Sequence, residues 1–352
     1  MKPPTNQHYL LTGAAGFIGS NLGNRLTELG NRVYGFDNYL HAVGAPPKFY
    51  VERADVRDPE FVLARSKDQD AIIHLAAAIN IDYGNDMPEL AWDINVRGTW
   101  NVLEVSRKRD IPLVFASSSE VYGTVQPGFD PDIDSHWAAK RVELSEDAER
   151  KWSEWRQRPW KINEWHPLWG QSPYSATKIA GEALCKAWTD TYGMQINVVR
   201  LFNTFGPYQG DDSYGGVIAR FVKFCMAGKP MPIFGDGLQR RDYLWIDDAV
   251  DAYLFALTKR FNGPVNFGTG TTISIIDLAR DIRNYLGSTS KVAWEHVAPR
   301  PGEVDVLRCD ASKAREMGWE PKTTFQDGLK EYVTWAKTGN QLQSVLSSKS
   351  PL

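Results

Sequence analysis

Tyr174 and Lys178 stand four residues apart in Tyr174-Ser175-Ala176-Thr177-Lys178, a spacing that puts both side chains on one helix face. An ammonium beside a phenol favours the phenolate and lowers the tyrosine pKa. A base that removes a hydroxyl proton near neutral pH needs that shift. The pattern is short enough to arise by chance, so its surroundings decide its weight. A second polar run, Ser117-Ser118-Ser119-Glu120-Val121-Tyr122-Gly123, follows the apolar stretch from Leu113 to Ala116. Small hydroxyl side chains at the C-terminal end of a parallel strand lie where open α/β sheets bind ligands. A serine-rich turn bonding its own backbone is the alternative.

Gly13-Ala14-Ala15-Gly16-Phe17-Ile18-Gly19 follows the apolar run Tyr9-Leu10-Leu11 and opens an apolar helical pattern. Such a turn suits a dinucleotide. Gly13 permits the tight bend, Gly16 lets backbone approach a pyrophosphate, and Gly19 lets helix and strand pack closely, with the helix N-terminus facing the phosphates. Asp37 ends the next apolar strand, Arg32 to Phe36. Its carboxylate can accept from both adenosine ribose hydroxyls and would repel a 2′-phosphate, which favours NAD over NADP. A solvated strand-end aspartate is the alternative. Asp55-Val56, after a third strand, suits the rim of an adenine site, and an ordinary loop explains it nearly as well.

These groups need a scaffold that brings strand ends together. Further buried-strand runs occur at Ala71 to Leu75, Leu113 to Ser117 and Ile196 to Leu201, with helical patterns from Glu89 to Lys108 and Ala176 to Tyr192 between them. Strands alternating with helices of this length predict an α/β fold, a Rossmann-type doubly wound parallel sheet. Beyond residue 203 the elements shorten, punctuated by Gly206-Pro207, Gly215-Gly216, Gly228-Lys229-Pro230 and Gly235-Asp236-Gly237. The expected organisation is a cofactor domain over 1–203, a smaller substrate region over 204–340 with part of 243–268 returning to the first domain, and a tail over 341–352.

In chain order, these pieces resemble the extended short-chain dehydrogenase/reductase family, in its nucleotide-sugar epimerase, dehydratase and decarboxylase branch. The matching segments are the glycine turn, His74-Leu75-Ala76-Ala77-Ala78, Asn95-Val96-Arg97-Gly98-Thr99, the serine run, Ser172 to Lys178, Arg200 to Pro207, Gly235-Asp236-Gly237, Arg241-Asp242-Tyr243 and Arg300-Pro301-Gly302-Glu303. The resemblance implies NAD as cofactor, contacted by Gly13, Gly16, Phe17, Ile18, Gly19, Asp37, Asn38, Asp55, Val56, Leu75, Ala76, Ala77, Asn95, Tyr174 and Lys178. It implies Tyr174 as base at a sugar C4 hydroxyl, Lys178 as its tuner, and Ser118 as a hydrogen-bond partner of that hydroxyl. Asn203, Arg241, Arg300 and Glu303 become substrate contacts, since guanidinium forks suit a diphosphate. For Arg241, pairing with Asp242 or Asp247 is the bland alternative.

Ser119 and Glu120 bear on the step after C4 oxidation. A carboxylate there can remove the C5 proton during loss of the C6 hydroxyl, whereas a 4-epimerase needs no such group. The expected activity is therefore an NDP-sugar 4,6-dehydratase. A 4-epimerase and a UDP-glucuronate-type decarboxylase stand as alternatives, and an inactive NAD-binding regulatory protein is the reading from a different class.

Bulk properties fit this reading. The 352 residues carry a net charge of −3, and no basic surface for nucleic acid is advertised. The three cysteines form no metal-ligand pattern and suggest a cytoplasmic setting, without metal. No apolar run reaches the ~18 residues that span a bilayer, and residues 1–8 lack a secretory apolar core. A homodimer through 87–109 and 176–192 is expected by resemblance. Six of 13 tryptophans fall within about 130–169, where Ala138, Val142, Ser145, Ala148, Trp152 and Trp155 recur at helical spacing. This insertion reads either as an active-site lid or as a surface helical hairpin.

Overall fold

Continuous apolar runs account for the central layer. In a parallel sheet covered on both faces, every strand residue is enclosed, so strands lose the alternation of half-exposed ones. The computed structural model describes residues 5–40, 43–79, 81–124, 161–210, 216–261, 263–287 and 293–338. Its strands are β1 (His8–Thr12), β2 (Arg32–Asp37), β3 (Tyr50–Arg53), β4 (Ala71–His74), β5 (Leu113–Ser118), β6 (Ile196–Leu201), β7 (Asn203–Phe205), β8 (Met231–Phe234), β9 (Arg240–Arg241), β10 (Tyr243–Trp245), β11 (Val265–Phe267), β12 (Ile273–Ser274), β13 (Trp294–Val297) and β14 (Val306–Leu307). All four residues of β4 and all six of β6 are buried.

Seven strands form one parallel sheet in the order β11-β6-β5-β4-β1-β2-β3. The strand order reverses between β1 and β4, so their C-terminal ends open a crevice of the kind that binds ligands in such sheets. Helix α1 (Phe17–Glu28) covers one face, and the helical run from Pro88 to Arg109 covers the other with α2 (Pro59–Arg65). Buried side chains divide accordingly. Leu11, Leu22, Ile73 and Val199 pack on one side, and Leu10, Ile72, Val102 and Phe115 on the other.

The helix from Pro173 to Tyr192 begins three residues earlier than the sequence pattern implies. Its start is fixed by a reciprocal cap in which Ser175 N donates to Ser172 Oγ at 3.2 Å and Ser172 N donates to Ser175 Oγ at 3.0 Å. Pro173 occupies the first turn, where no amide is needed. Tyr174 therefore sits in a capped first turn, at a defined height above the sheet. The pattern from Glu89 to Lys108 also differs in detail, because a π-helical turn over Asp93–Arg97 interrupts it. That turn aims Asn95 inward, a placement set by tertiary bonds that periodicity does not carry.

Residues 246–267 come back to the sheet. The helix Ile246–Thr258 packs on α1, and β11 pairs with β6 through Val265↔Val199 and Phe267↔Leu201. Small sheets, β10-β7, β12-β9-β14 and β13-β8, build the wall above the strand ends. The helical pattern spanning Ala138 to Trp155 lies outside the described residues.

Candidate active site

Strand ends and the small sheets enclose a cleft of about 460 Å³. Its wall includes every site residue expected from sequence except Asn95, from the glycine turn through Asp37, Asp55 and Tyr174 to Arg241, Arg300 and Glu303. Asn95 is buried beside the cleft. Its Oδ1 accepts from Ala78 N at 2.7 Å, and its Nδ2 donates to Ala78 O at 3.0 Å and Thr177 Oγ1 at 2.8 Å. In this geometry it ties a loop to a helix and faces no ligand space.

The glycine turn fits a dinucleotide on steric grounds. Gly13 has φ +68°, and a Cβ there would lie 2.7 Å from Ala76 N. A Cβ on Gly19 would lie 2.0 Å from Gly13 O. Gly16 caps α1 without any side-chain bond, which leaves amide donors open at a helix N-terminus. The Asp37 carboxylate is fixed by Ala15 N at 3.1 Å and Tyr39 N at 2.7 Å, and Asn38 Nδ2 donates to Asp55 Oδ2 at 2.9 Å.

At the reactive end, Ser118 Oγ accepts from Glu120 N at 3.2 Å, and the Ser118 side chain stands close enough to Tyr174 to influence its phenol. Burial pushes the Tyr174 phenol up to about 12, Ser118 opposes this, and the nearby Glu120 adds to it. Lys178 is not among the groups that shift Tyr174 in this geometry. Lys178 Nζ instead donates to Ala116 O at 2.9 Å, and its own burial draws it down to about 8. Enclosure outweighs helix spacing, because it penalises the charged form of both groups.

Glu120 stands in the field of Arg241, Glu303 and Arg300. Burial raises its carboxyl above the ordinary range, Arg241 and Arg300 oppose that rise, and Glu303 reinforces it. Ser119 is buried beside it on the cleft wall. Arg241 Nη2 pairs with Glu303 Oε1 at 2.6 Å, and Arg300 Nη1 lies 3.6 Å from Glu303 Oε2. Neither bland partner holds Arg241. Asp242 accepts from Thr269, Gly270 and Cys309 instead, and Asp247 accepts from Trp245 Nε1. Asn203 Oδ1 is buried without a hydrogen-bond partner.

Sequence reasoning missed several cleft residues, including Arg220, Gln239, Tyr243 and Tyr253. Arg220 lies on the helix Val217–Met226, between the buried Ile218, Ala219, Phe221 and Val222. A charge inside so apolar a helix was the available signal. A buried pair was also missed. Arg200 Nε donates to Glu182 Oε1 at 2.8 Å, Arg200 Nη1 donates to Tyr122 Oη at 2.6 Å, and Ser117 Oγ donates to Glu182. This pair anchors the Tyr174 helix to β5 and β6. Among the described residues, no group of three His, Cys, Asp or Glu side chains could hold a metal, and no helix is long and apolar enough to cross a membrane.

Comparisons with known proteins agree with the geometry. The profile of the NAD dependent epimerase/dehydratase family matches residues 9–141, and that of GDP-mannose 4,6 dehydratase matches residues 156–332. A putative UDP-glucose 4-epimerase of Methanocaldococcus jannaschii is 33% identical over 337 residues, covering 94% of this chain and 99% of that protein. The structure of UDP-glucose 4-epimerase from Thermotoga maritima with UDP-glucose superposes with TM-score 0.81 at 27% identity, covering 94% of this chain and 99% of that one. A dTDP-glucose 4,6-dehydratase from Streptomyces venezuelae with NAD bound gives TM-score 0.79 at 26% identity, covering 95% and 98%. The chain belongs to the NAD-dependent epimerase/dehydratase family and is an NAD-dependent enzyme of nucleotide-sugar chemistry.

Proposed function

We propose that this enzyme is a nucleotide-sugar 4,6-dehydratase, which oxidises the sugar at C4 and then loses water across C5 and C6. The carrying observation is a second acid–base group, Glu120, on the same cleft wall as Tyr174 and electrostatically coupled to it. NAD, when bound, supplies the hydride acceptor and a positive ring charge that favours the phenolate. The glycine turn would hold the pyrophosphate, and Asp37 the adenosine ribose. Tyr174 takes the C4 hydroxyl proton, with Ser118 orienting that hydroxyl. Lys178 supports this step by turning its ammonium from Ala116 O towards the phenol. Glu120 then removes the C5 proton as the C6–O bond breaks, and passes it to the departing hydroxyl, which leaves as water; return of the C4 hydride to C6, with the proton held by Tyr174 going to C5, would complete the 4-keto-6-deoxy sugar and restore both groups. Arg241 and Arg300 hold the diphosphate, Asn203 contributes an acceptor, and Glu303 meets the nucleoside ribose.

Purified protein incubated with UDP-glucose, GDP-mannose, dTDP-glucose and UDP-glucuronate, with products read by NMR, tests this reading. A 4-keto-6-deoxy product that Glu120→Gln abolishes supports it. A 4-epimerase is the second reading, favoured by the likeness to the Methanocaldococcus and Thermotoga proteins. It predicts interconversion of C4 isomers only, unaffected by Glu120→Gln. Carbon dioxide from UDP-glucuronate would indicate a decarboxylase.

The same reading places the enzyme in the cytoplasm as a homodimer. Support for pairing comes from an aromatic surface on the Pro88 to Arg109 run and the Tyr174 helix. Trp92, Trp100 and Tyr192 are each about half exposed there, and Trp100 lies edge-on to Trp188 with ring centroids 4.7 Å apart. Light scattering at twice the chain mass is the expected result.

A further inference from the structure

His74 is a buried imidazole at the end of β4, and both ring nitrogens are engaged. Proton accounting fixes its form. Thr99 Oγ1 spends its only hydrogen on Asn95 O, at 2.6 Å. The 3.0 Å bond between His74 Nε2 and Thr99 Oγ1 must therefore be donated by the ring. At the other edge, Ala76 N donates to Thr12 Oγ1 at 3.0 Å, and Thr12 Oγ1 lies 2.8 Å from His74 Nδ1. A neutral ring with hydrogen on Nε2 leaves Nδ1 bare, and Thr12 donates to it. Burial and the nearby Lys178 charge hold the imidazole neutral, down to about 3.

The bonds form a directed chain as far as the Asn95 carbonyl. It starts at Ala76 N on the cofactor-facing loop and passes through Thr12, the residue before Gly13, then His74 and Thr99 to the carbonyl of Asn95. Through the frame of Asn95 a second run follows, its side-chain amide donating to Thr177 Oγ1 at 2.8 Å and Thr177 Oγ1 donating to Tyr174 O at 2.7 Å. Every hydroxyl in it is donor and acceptor once, so no member can reverse without breaking its neighbours.

We propose that His74, as the neutral Nε2–H tautomer, is a positioning residue whose Nδ1 edge seats the dinucleotide turn and whose Nε2 edge sets the register of Tyr174. The proposal rests on the catalytic reading of Tyr174 for its second half only. The first half concerns cofactor retention and stands without it.

Two amide substitutions separate the edges. His74→Asn places an acceptor near the Nδ1 position and lacks reach to Thr99, while His74→Gln reaches Thr99 and leaves Thr12 unserved. His74→Asn is expected to keep NAD through gel filtration, with kcat about tenfold lower and KM unchanged on the panel sugar that the wild type converts. His74→Gln is expected to keep most of kcat at saturating NAD and to lose the dinucleotide on gel filtration. Equal behaviour of the two variants, or the reverse split, overturns the assignment. Nitrogen-15 NMR of the histidine-labelled wild-type holoenzyme tests the tautomer without any variant or substrate. A protonated Nε2 beside a bare Nδ1 is expected, and an Nδ1–H or doubly protonated ring overturns the chain. Should Tyr174→Phe retain full turnover while the tautomer stands, the catalytic reading fails and the cofactor half of this one survives.

Discussion

Lys178 Nζ donates to the main-chain carbonyl of Ala116 at 2.9 Å, inside the sheet end that carries Ser118. The ammonium is buried, and burial lowers its pKa from 10.5 to about 8. An alkaline limb near pH 8 is therefore expected in kcat/KM, as Lys178 loses the charge that supports Tyr174. Lys178→Arg should push that limb out of reach, because a guanidinium stays charged. A profile flat through pH 9 in the wild type would contradict this.

The same shift has a consequence for stability. A folded pKa below the unfolded value means that native Lys178 binds fewer protons between about 8 and 10.5. Its contribution is fully present above the unfolded pKa and is lost as pH falls through the folded one. At pH 7 the buried ammonium is a net cost. Lys178→Met should raise the melting temperature at pH 7 while abolishing turnover, and a lower melting temperature would show that the Ala116 bond outweighs desolvation.

Glu182 and Arg200 form a buried ion pair, with side chains 9% and 3% exposed. Removing either partner leaves an uncompensated charge, so Arg200→Met should cost about 3–5 kcal/mol in urea unfolding. Glu182→Leu combined with Arg200→Met should cost less than the sum of the two single changes.

Asp37 holds its carboxylate at the end of β2 through Ala15 N and Tyr39 N. Asp37→Asn removes the charge that excludes a 2′-phosphate. The ratio of NADP to NAD affinity should rise about tenfold or more, worth about 1.4 kcal/mol. Fluorescence titration of dinucleotide-stripped protein gives the ratio, and an unchanged value would move the ribose site elsewhere.

Gly13→Ala combines an unfavourable φ with a Cβ only 2.7 Å from Ala76 N. The expected result is a protein that elutes from gel filtration without dinucleotide. Gly30→Ala is the control, because it shares a positive φ of +83° but meets nothing within 4 Å.

Much of the sheet was legible because β4, β5 and β6 read as mostly apolar runs, as parallel strands do when both faces are covered, with Asn197 and Arg200 the polar exceptions in β6. The tight glycine turn was legible because close backbone approach at Gly13 and Gly19 admits no side chain. That the Asn95 amide is spent on Ala78 and Thr177 was not legible, since only tertiary structure reveals those partners. The burial of Tyr174 was not legible for a related reason. Helix spacing announces a neighbouring ammonium, whereas enclosure by the sheet ends, which raises the phenol, is a property of the assembled fold. The role proposed for His74 was hidden in a segment noted for Leu75, Ala76 and Ala77, because direction in a hydrogen-bond chain appears once every partner is in place.

The most direct test of C4 oxidation by Tyr174 is the conversion of the nucleotide-sugar panel by Tyr174→Phe, with bound dinucleotide absorbance followed at 340 nm. The account predicts a folded, NAD-containing variant that is slower than wild type by about 10²–10⁴-fold on the sugar the wild type converts. Wild-type turnover by that variant would contradict it.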